Sequence, residues 1–577
     1  MPFSDFGIFL GDLSLAQIEL ATRDPMRAQD RTLRRILRFN RTSELGRKYD
    51  FAHIFSINDF RRKVPLSTYE DYAPYVERMI NGEKNLMYTG PNIRYATSSG
   101  SVGKPKVLPK GILDLWNMQC IGFSCTVATA AHDLRRRGIR MPSQMGPLAL
   151  VLTGHKSEDG KMMNGAGQIP IDYLKPLLPT FCTSPLPLMY PEHEELVDTS
   201  YFQLRFALAN RNVTYLGSMV ITLLTTMFDY LEAHWQLLCD DIEKGTIDPS
   251  VRVTPELRAE FMKKIKPDPA RAAELRREFE KGFDDPIGPR IWPKLTWAYG
   301  MVGSTLKVYV QKLRRYIGDT PLHNMGYAAA EGFFAMPTEL DVDDCVLLPH
   351  CIFFEFIPVN DDEDEEPEEN PKTLLLDELE VGKTYEIVVT NFSGLYRYRI
   401  EDVVKVTRMY HNTPQIELLY RRNLGMNIAN EKTTTEMIDA AAKNAAAKAG
   451  VVPAGYSFHA DYSTTPPRYC MLMETQDETD EQTRQALIDA LDDEMKGINE
   501  KYFKYRRWGM LERPEVLLLK SGAYEEYKEM LRGRGVVLNQ IKPVIVLNND
   551  ERRDFFLSRV TTPSGTVDAW KKQKETK

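Results

Sequence analysis

Residues Thr390–Val406 read TNFSGLYRYRIEDVVKV, and the order of residue types in this stretch decides how the chain is built. A turn containing Gly394 leads into alternating aromatic and arginine residues, then Asp402, then the β-branched run of a strand. Successive side chains of a strand point to opposite faces, so one row can pack a core while the other carries polar groups. An aspartate at such a strand entrance can accept both hydroxyls of a ribose, and Arg399 offers a planar fork of donors to a phosphate or a carboxylate. A structural hairpin with surface arginines fits the same letters.

Working outward, strand patterns recur at 148–153, 294–299, 353–358, 385–390 and 403–407, interleaved with helical patterns such as 306–317. Strands alternating with helices argue an α/β fold. The period over 15–39, with Arg35, Arg38 and Arg41 marking its polar side and end, predicts one solvent-facing first helix, and another helix is expected over 113–132. The apolar stretch 216–231 is broken by Thr222, Thr225, Thr226 and Asp229 and falls short of the roughly 20 residues of a spanning segment, so it reads as a buried helix. The acidic run 361–369 has no apolar period and reads as a solvated loop. After Arg422 a loop through 423–430 precedes an Ala-rich helix over 434–449 and strands at 456–462 and 469–474. These predict a large N-terminal domain, 1–425, with β-sheets flanked by helices, and a small α+β C-terminal domain, 426–577.

The 577 residues exceed what one hydrophobic core organises, in keeping with two domains. A 43% hydrophobic and 27% charged composition is that of a soluble globular protein. A formal net charge of -7 opposes a phosphate backbone, so no nucleic-acid partner is expected. The seven cysteines never form CxxC, which excludes a ribbon-type zinc site and suits a reducing, cytoplasmic compartment. Asp5 and Asp12 interrupt the first apolar residues, so neither export nor a membrane partner is expected, and a monomer is.

Two further segments carry chemistry. Residues 97–106, TSSGSVGKPK, combine the hydroxyls of Ser98, Ser99 and Ser101 with Gly100, Gly103 and Lys106. Such a loop can wrap a polyphosphate: hydroxyls and backbone N–H groups donate to phosphate oxygens, glycines clear the approach, and lysines supply charge. It is not a Walker A loop, and plain connection fits it as well. Residues 324–332, NMGYAAAEG, set Tyr327 and a lone Glu331 among small residues. Glu331 can hold Mg²⁺ with the phosphates of a nucleotide, or simply start a helix.

The conjunction of the three, in this order, resembles the adenylate-forming superfamily and, more closely, the auxin-responsive acyl acid-amido synthetases of the Gretchen Hagen type. The likeness runs through 215–245, 291–316, 353–359, 382–406 and NQIKP at 539–543. It implies an ATP- and Mg²⁺-dependent ligase with a mobile C-terminal domain. Such an enzyme turns a small carboxylic acid into an acyl-adenylate and passes the acyl group to an amine, that of an amino acid above all. By the same resemblance Ser98, Ser99, Gly100 and Ser101 match the phosphate loop, Glu331 the metal-associated glutamate, Asp402 the ribose aspartate, and Lys542 and Lys432 two lysines of the C-terminal part. Gly103, Lys106, Tyr327 and Arg399 join the nucleotide set. The acyl group is expected among Trp116, Gln119, Phe123, Met219 and Phe333, for each of which core packing is the plain alternative. Three departures stand out: a Gly-x-Pro-Lys loop ending, Ala328–Ala330 where the plant enzymes usually carry hydroxyls, and Glu401 where they carry glycine.

Overall fold

The computed structural model describes residues 3–97, 106–117, 121, 124–140, 154–156, 162–165, 183–185, 197–302, 307–359, 371–421, 425–429, 431–533, 544–547, 550–562, 567, 568 and 570. The strands are β1 (Arg94–Thr97), β2 (Val107–Lys110), β3 (Gly154–Lys156), β4 (Met162–Gly165), β5 (Tyr215–Val220), β6 (Trp297–Met301), β7 (Leu322–Asn324), β8 (Tyr327–Ala329) and β9 (Gly332–Met336). They continue with β10 (Cys345–Leu347), β11 (Phe353–Pro358), β12 (Thr384–Thr390), β13 (Tyr398–Tyr410), β14 (Thr413–Arg421), β15 (Pro453–Asp461), β16 (Arg468–Thr475) and β17 (Glu515–Leu518). Up to Tyr420 the described residues form one compact unit and from Arg421 a second.

The first unit holds a seven-stranded sheet in the order β11-β12-β13-β14-β10-β9-β8, a four-stranded sheet β2-β1-β4-β3 and a three-stranded sheet β5-β6-β7. The last is parallel, and its crossovers contain the helices Ile221–Lys244 and Lys307–Ile317, so the fold is α/β as expected. Aromatic and branched residues of the seven-stranded sheet, among them Phe334, Phe354, Phe356, Tyr398 and Val404, make the main core. The second unit packs β15-β16-β17 with the helices Thr435–Ala449 and Glu481–Ile498.

The structure corrects two expectations. The period over 15–39 is two helices, Phe3–Arg23 and Pro25–Asn40. Pro25 cannot continue the first helix but suits the first turn of the second, where the Asp24 carboxylate accepts from the Arg27 N–H. Nor does that second helix face solvent throughout: Leu33, Ile36 and Leu37 are buried, and Gln29 donates to the carbonyls of Pro349 (2.8 Å) and Ile352 (2.7 Å). Second, the stretch 216–231 opens as strand β5 and becomes helix only at Ile221. Two consecutive buried elements both demand apolar residues, so periodicity cannot separate them. The expected helix over 113–132 is helical where described, as Ile112–Trp116 and Ser124–Arg136, and residues 118–120, 122 and 123 between them lie outside the described residues. The expected strand 148–153 and the acidic run 361–369 lie outside the described residues. Among the described residues no helix is long and apolar enough to cross a membrane.

Candidate functional site

The loop 98–105, which includes Ser98, Ser99, Gly100, Ser101 and Gly103, lies outside the described residues. It joins antiparallel strands β1 and β2, with Thr97 paired to Val107. Tyr69 clamps that end: its hydroxyl accepts from the Val107 N–H at 3.0 Å and donates to the Val107 carbonyl at 3.3 Å. Lys106, expected to meet phosphate, lays its ammonium over the Tyr69 ring, 5.6 Å from the centroid. Just before Tyr69, Ser67 is stitched to the strand that carries Asp402, taking the Arg399 N–H on its carbonyl (2.9 Å) and giving its own N–H to the Arg397 carbonyl (3.0 Å). One short segment thus ties the loop's closing end to β13. Tyr69 and Ser67 had no signal in the sequence, because both act through strand register rather than through a motif.

Glu331 does not start a helix. It sits in the two-residue turn between β8 and β9, where Ala329 pairs with Gly332, and is 3% exposed. Its backbone carbonyl accepts from Asn391 Nδ2 at 2.8 Å and from Lys110 Nζ at 3.2 Å. Asn391 belongs to the TNFSG turn, and Lys110 ends β2, the strand that leaves the 98–105 loop. The TNFSG turn and the end of β2 therefore both meet the turn that carries Glu331. Among the described residues the Glu331 carboxylate itself accepts no hydrogen bond. A buried carboxylate with uncommitted oxygens is suited to a hard cation. Lys110 is itself buried, and burial lowers its pKa against the pull of Asp114 and Glu331. The TNFSG turn owes its shape to Gly394 (φ +91°), where a Cβ would meet the Met87 carbonyl oxygen at 2.6 Å.

Asp402 is 4% exposed and accepts from the Tyr327 hydroxyl at 2.5 Å, so the two nucleotide candidates of β13 and β8 meet directly. Tyr327 also packs on Phe334, with ring centroids 4.8 Å apart. Asp402 is aimed by an irregularity in the strand: β13 pairs Val403 with Glu386 and Arg399 with Val388, so three residues of β13 stand opposite one of β12. Glu401 occupies that bulge with φ +69°, a left-handed backbone that glycine adopts without cost. Here the glycine expected from the plant pattern has a physical reason, and this chain does without it. Glu401→Gly is therefore expected to raise the stability of the first unit by about 1 kcal/mol, read as a higher urea midpoint; a lower midpoint would show that the carboxylate's own contacts outweigh the strain.

Arg399 is paired within the sheet. Its guanidinium makes a two-pronged pair with Glu386 (2.8 and 2.9 Å), so its fork is filled by a carboxylate of the neighbouring strand and braces β12 to β13. Phe333 is buried in the main core at 6% exposure, which is the packing alternative, whereas Trp116 is 59% exposed at the end of its helix. Gln119 and Phe123 lie outside the described residues, and of Met219 only its place in β5 is described. Lys542 also lies outside them.

In the second unit Lys432 has a left-handed backbone (φ +52°), and its N–H donates to Asn427 Oδ1 at 3.0 Å. The loop around it is closed by reciprocal backbone bonds of 2.8 Å between Met426 and Thr433. Glu431, buried, accepts from the N–H groups of Ile428 (2.7 Å) and Ala429 (2.6 Å) and from the Tyr469 hydroxyl. Burial raises its pKa, and those three donors oppose the rise.

Three family models match the chain: the GH3 family N-terminal domain over 14–322, central domain over 345–421 and C-terminal domain over 436–551. A jasmonoyl-L-amino acid synthetase of Oryza sativa subsp. japonica is 27% identical over 583 residues, covering 96% of this chain and 97% of its own. An indole-3-acetic acid-amido synthetase of Arabidopsis thaliana is 26% identical over 571 residues, covering 92% and 90%. A solved acyl acid amido synthetase in complex with 2,4-DB shares the fold, with a TM-score of 0.62 at 24% identity and 96% of each chain covered. With the first model alone spanning more than half of the 577 residues, the chain belongs to the GH3 family.

Proposed function

We propose that this chain is an ATP-dependent ligase that converts a small carboxylic acid to its acyl-adenylate and transfers the acyl group to the amine of an amino acid. The observation that carries the reading is the meeting of the β2 strand end, the Glu331 turn, Asn391 and the Tyr327–Asp402 pair within one sheet-built unit. The relatives' names, which describe joining an acid to an amino acid, support the amide-forming half.

A carboxylate is a poor acyl donor near neutral pH, so one oxygen must become a leaving group. The acid's oxygen attacks the α-phosphorus of ATP, and the bond to pyrophosphate breaks. A neutral amine then attacks the acyl carbon, the mixed anhydride releases AMP, and the amine gives up a proton. Catalysis of the first step rests on positioning and charge. The 98–105 loop, by its composition, is assigned to the phosphates, and Asp402 to the ribose, with Tyr327 keeping its carboxylate in place. Glu331 is the residue that would hold Mg²⁺, which when bound would supply positive charge against the leaving pyrophosphate. Lys432 and Lys542 are the lysines assigned to phosphate or acyl contact. Ala328 and Ala329, half-buried beside Glu331, present methyl groups, so the acid's polar groups differ from those of the plant acids.

Acid-dependent exchange of labelled pyrophosphate into ATP, over a panel of aryl and alkyl carboxylic acids, tests the first half. Mass detection of amides after adding amino acids tests the second. No exchange with any acid overturns adenylation, and a thioester formed with a thiol acceptor without any amide overturns the acceptor. Asp402→Asn keeps size and loses charge, so the KM for ATP is expected to rise about 10-fold with kcat changed far less, the pattern of an interaction made equally in ground and transition states. A change confined to kcat would remove Asp402 from nucleotide binding.

A further inference from the structure

We infer that Lys110 is a positioning residue for Glu331: its ammonium, carried on the strand that leaves the 98–105 loop, holds the carbonyl of the Glu331 turn. The inference rests on the adenylation reading and adds a residue to it. Lys110 is 2% exposed, and a lysine is seldom so deeply buried without a specific electrostatic use. Among the described residues its side-chain hydrogen bond goes to Glu331 O at 3.2 Å, across a sequence separation of 221 residues. Asp114, on the helix Ile112–Trp116, sets Oδ2 at 3.6 Å from the same ammonium, and that oxygen is buried with no hydrogen-bond partner of its own. Asp114 thus serves as a counter-charge that keeps the ammonium in place. The other charged group facing Lys110 is Arg94 of β1, so the cluster brings two cations and two carboxylates together.

A packing role would be filled better by methionine, which has similar length and no charge to desolvate. What lysine adds is a directed donor that links the end of β2 to the turn that carries Glu331. Asn391 gives the same carbonyl a second donor, so the turn is fixed from β2 on one side and from the TNFSG turn on the other. Movement of the Lys110 end of β2 is therefore transmitted to Glu331.

The test uses the full chain with Lys110→Met combined with Asp114→Asn, which removes the Asp114 charge together with that of its partner, and Lys110→Arg as the conservative variant. Two readouts are taken: amide hydrogen exchange of the 327–336 hairpin without nucleotide, and acid-dependent pyrophosphate exchange. The expected result for the double variant is an unchanged melting temperature, faster exchange confined to that hairpin, and kcat lowered about 10- to 100-fold with the KM for the acid little changed. Lys110→Arg recovers part of both. Wild-type hairpin protection and kcat in the folded double variant overturn the inference, as does loss of protection spread evenly through the whole unit. If the wild-type chain shows no pyrophosphate exchange with any acid, the ligase reading fails, while the hairpin measurement still decides whether Lys110 holds the turn.

Discussion

Glu331→Gln is expected to lower acid-dependent pyrophosphate exchange about 10²- to 10³-fold at saturating ATP and acid, with the folded state intact. Glutamine matches the shape of glutamate and leaves the backbone carbonyl that Asn391 and Lys110 hold, so the turn between β8 and β9 stays formed. What is lost is one negative charge in a buried position, 3% exposed, where charge acts at low effective dielectric. Removal of a single preorganised electrostatic partner costs about 3–4 kcal/mol of transition-state stabilisation, which sets the size of the effect. The fall should lie in kcat, and the concentration of Mg²⁺ giving half the maximal rate should rise with it. Exchange within threefold of wild type, at unchanged Mg²⁺ dependence, would reduce Glu331 to a turn residue.

The parts of this fold that were legible in the sequence are those where one local rule acts alone. Strand 353–358 was read to the residue, β12 within one, and the helices Lys307–Ile317 and Thr435–Ala449 nearly so, the latter because Thr434 caps it by accepting from the Met437 N–H and Gly450 ends it in a left-handed turn. Where two rules compete, the reading failed. Helical period ran through Asp24–Pro25 because the residues on either side keep the same spacing, although the proline forbids a continuous helix. β5 hid inside an apolar run that its helix continues.

The site divides in the same way. Glu331, Asp402 and Tyr327 stood out as polar residues in small-residue or strand settings, and the structure brings Tyr327 and Asp402 into contact. Lys110, Asn391, Ser67 and Tyr69 escaped because their roles arise from pairs separated by tens to hundreds of residues, which no local spacing encodes. Arg399 stood out correctly as a fork seeking a planar anion, but its partner, Glu386, is placed opposite only by the register of β12 against β13. Glu401 shows the converse: nothing in its own type announces a positive φ, and only the bulge does.

Arg397→Met is expected to destabilise the first unit by about 3–5 kcal/mol, the usual cost of removing one partner of a buried ion pair. Arg397 is 7% exposed and binds Glu355 through Nε (2.9 Å) and Nη2 (3.0 Å). Its remaining donors reach the carbonyls of Arg61 (3.0 Å) and Val64 (2.9 Å) and the Thr373 hydroxyl (3.3 Å). One guanidinium thus pins the end of the helix Ile57–Lys63 and strand β11 to the residue that precedes β13. Methionine leaves the Glu355 carboxylate in the core, with Thr373 and Arg61 as its remaining partners, and strands the Val64 carbonyl. The backbone at 397 has φ +48° in either case, so strain relief plays no part in the difference. Lysine is no remedy, since a point charge cannot span both carboxylate oxygens and two carbonyls. Pairing the change with Glu355→Gln removes the buried charge, and the double variant should recover at least 1 kcal/mol relative to the single one in a double-mutant cycle of urea midpoints. A single variant within 1 kcal/mol of wild type would show that the network is relaxed by water. Because Asp402 follows five residues along the same strand path, the single variant should also lose pyrophosphate exchange before it unfolds, the strand entrance being freed at its Glu355 anchor while the sheet beyond Val403 still holds.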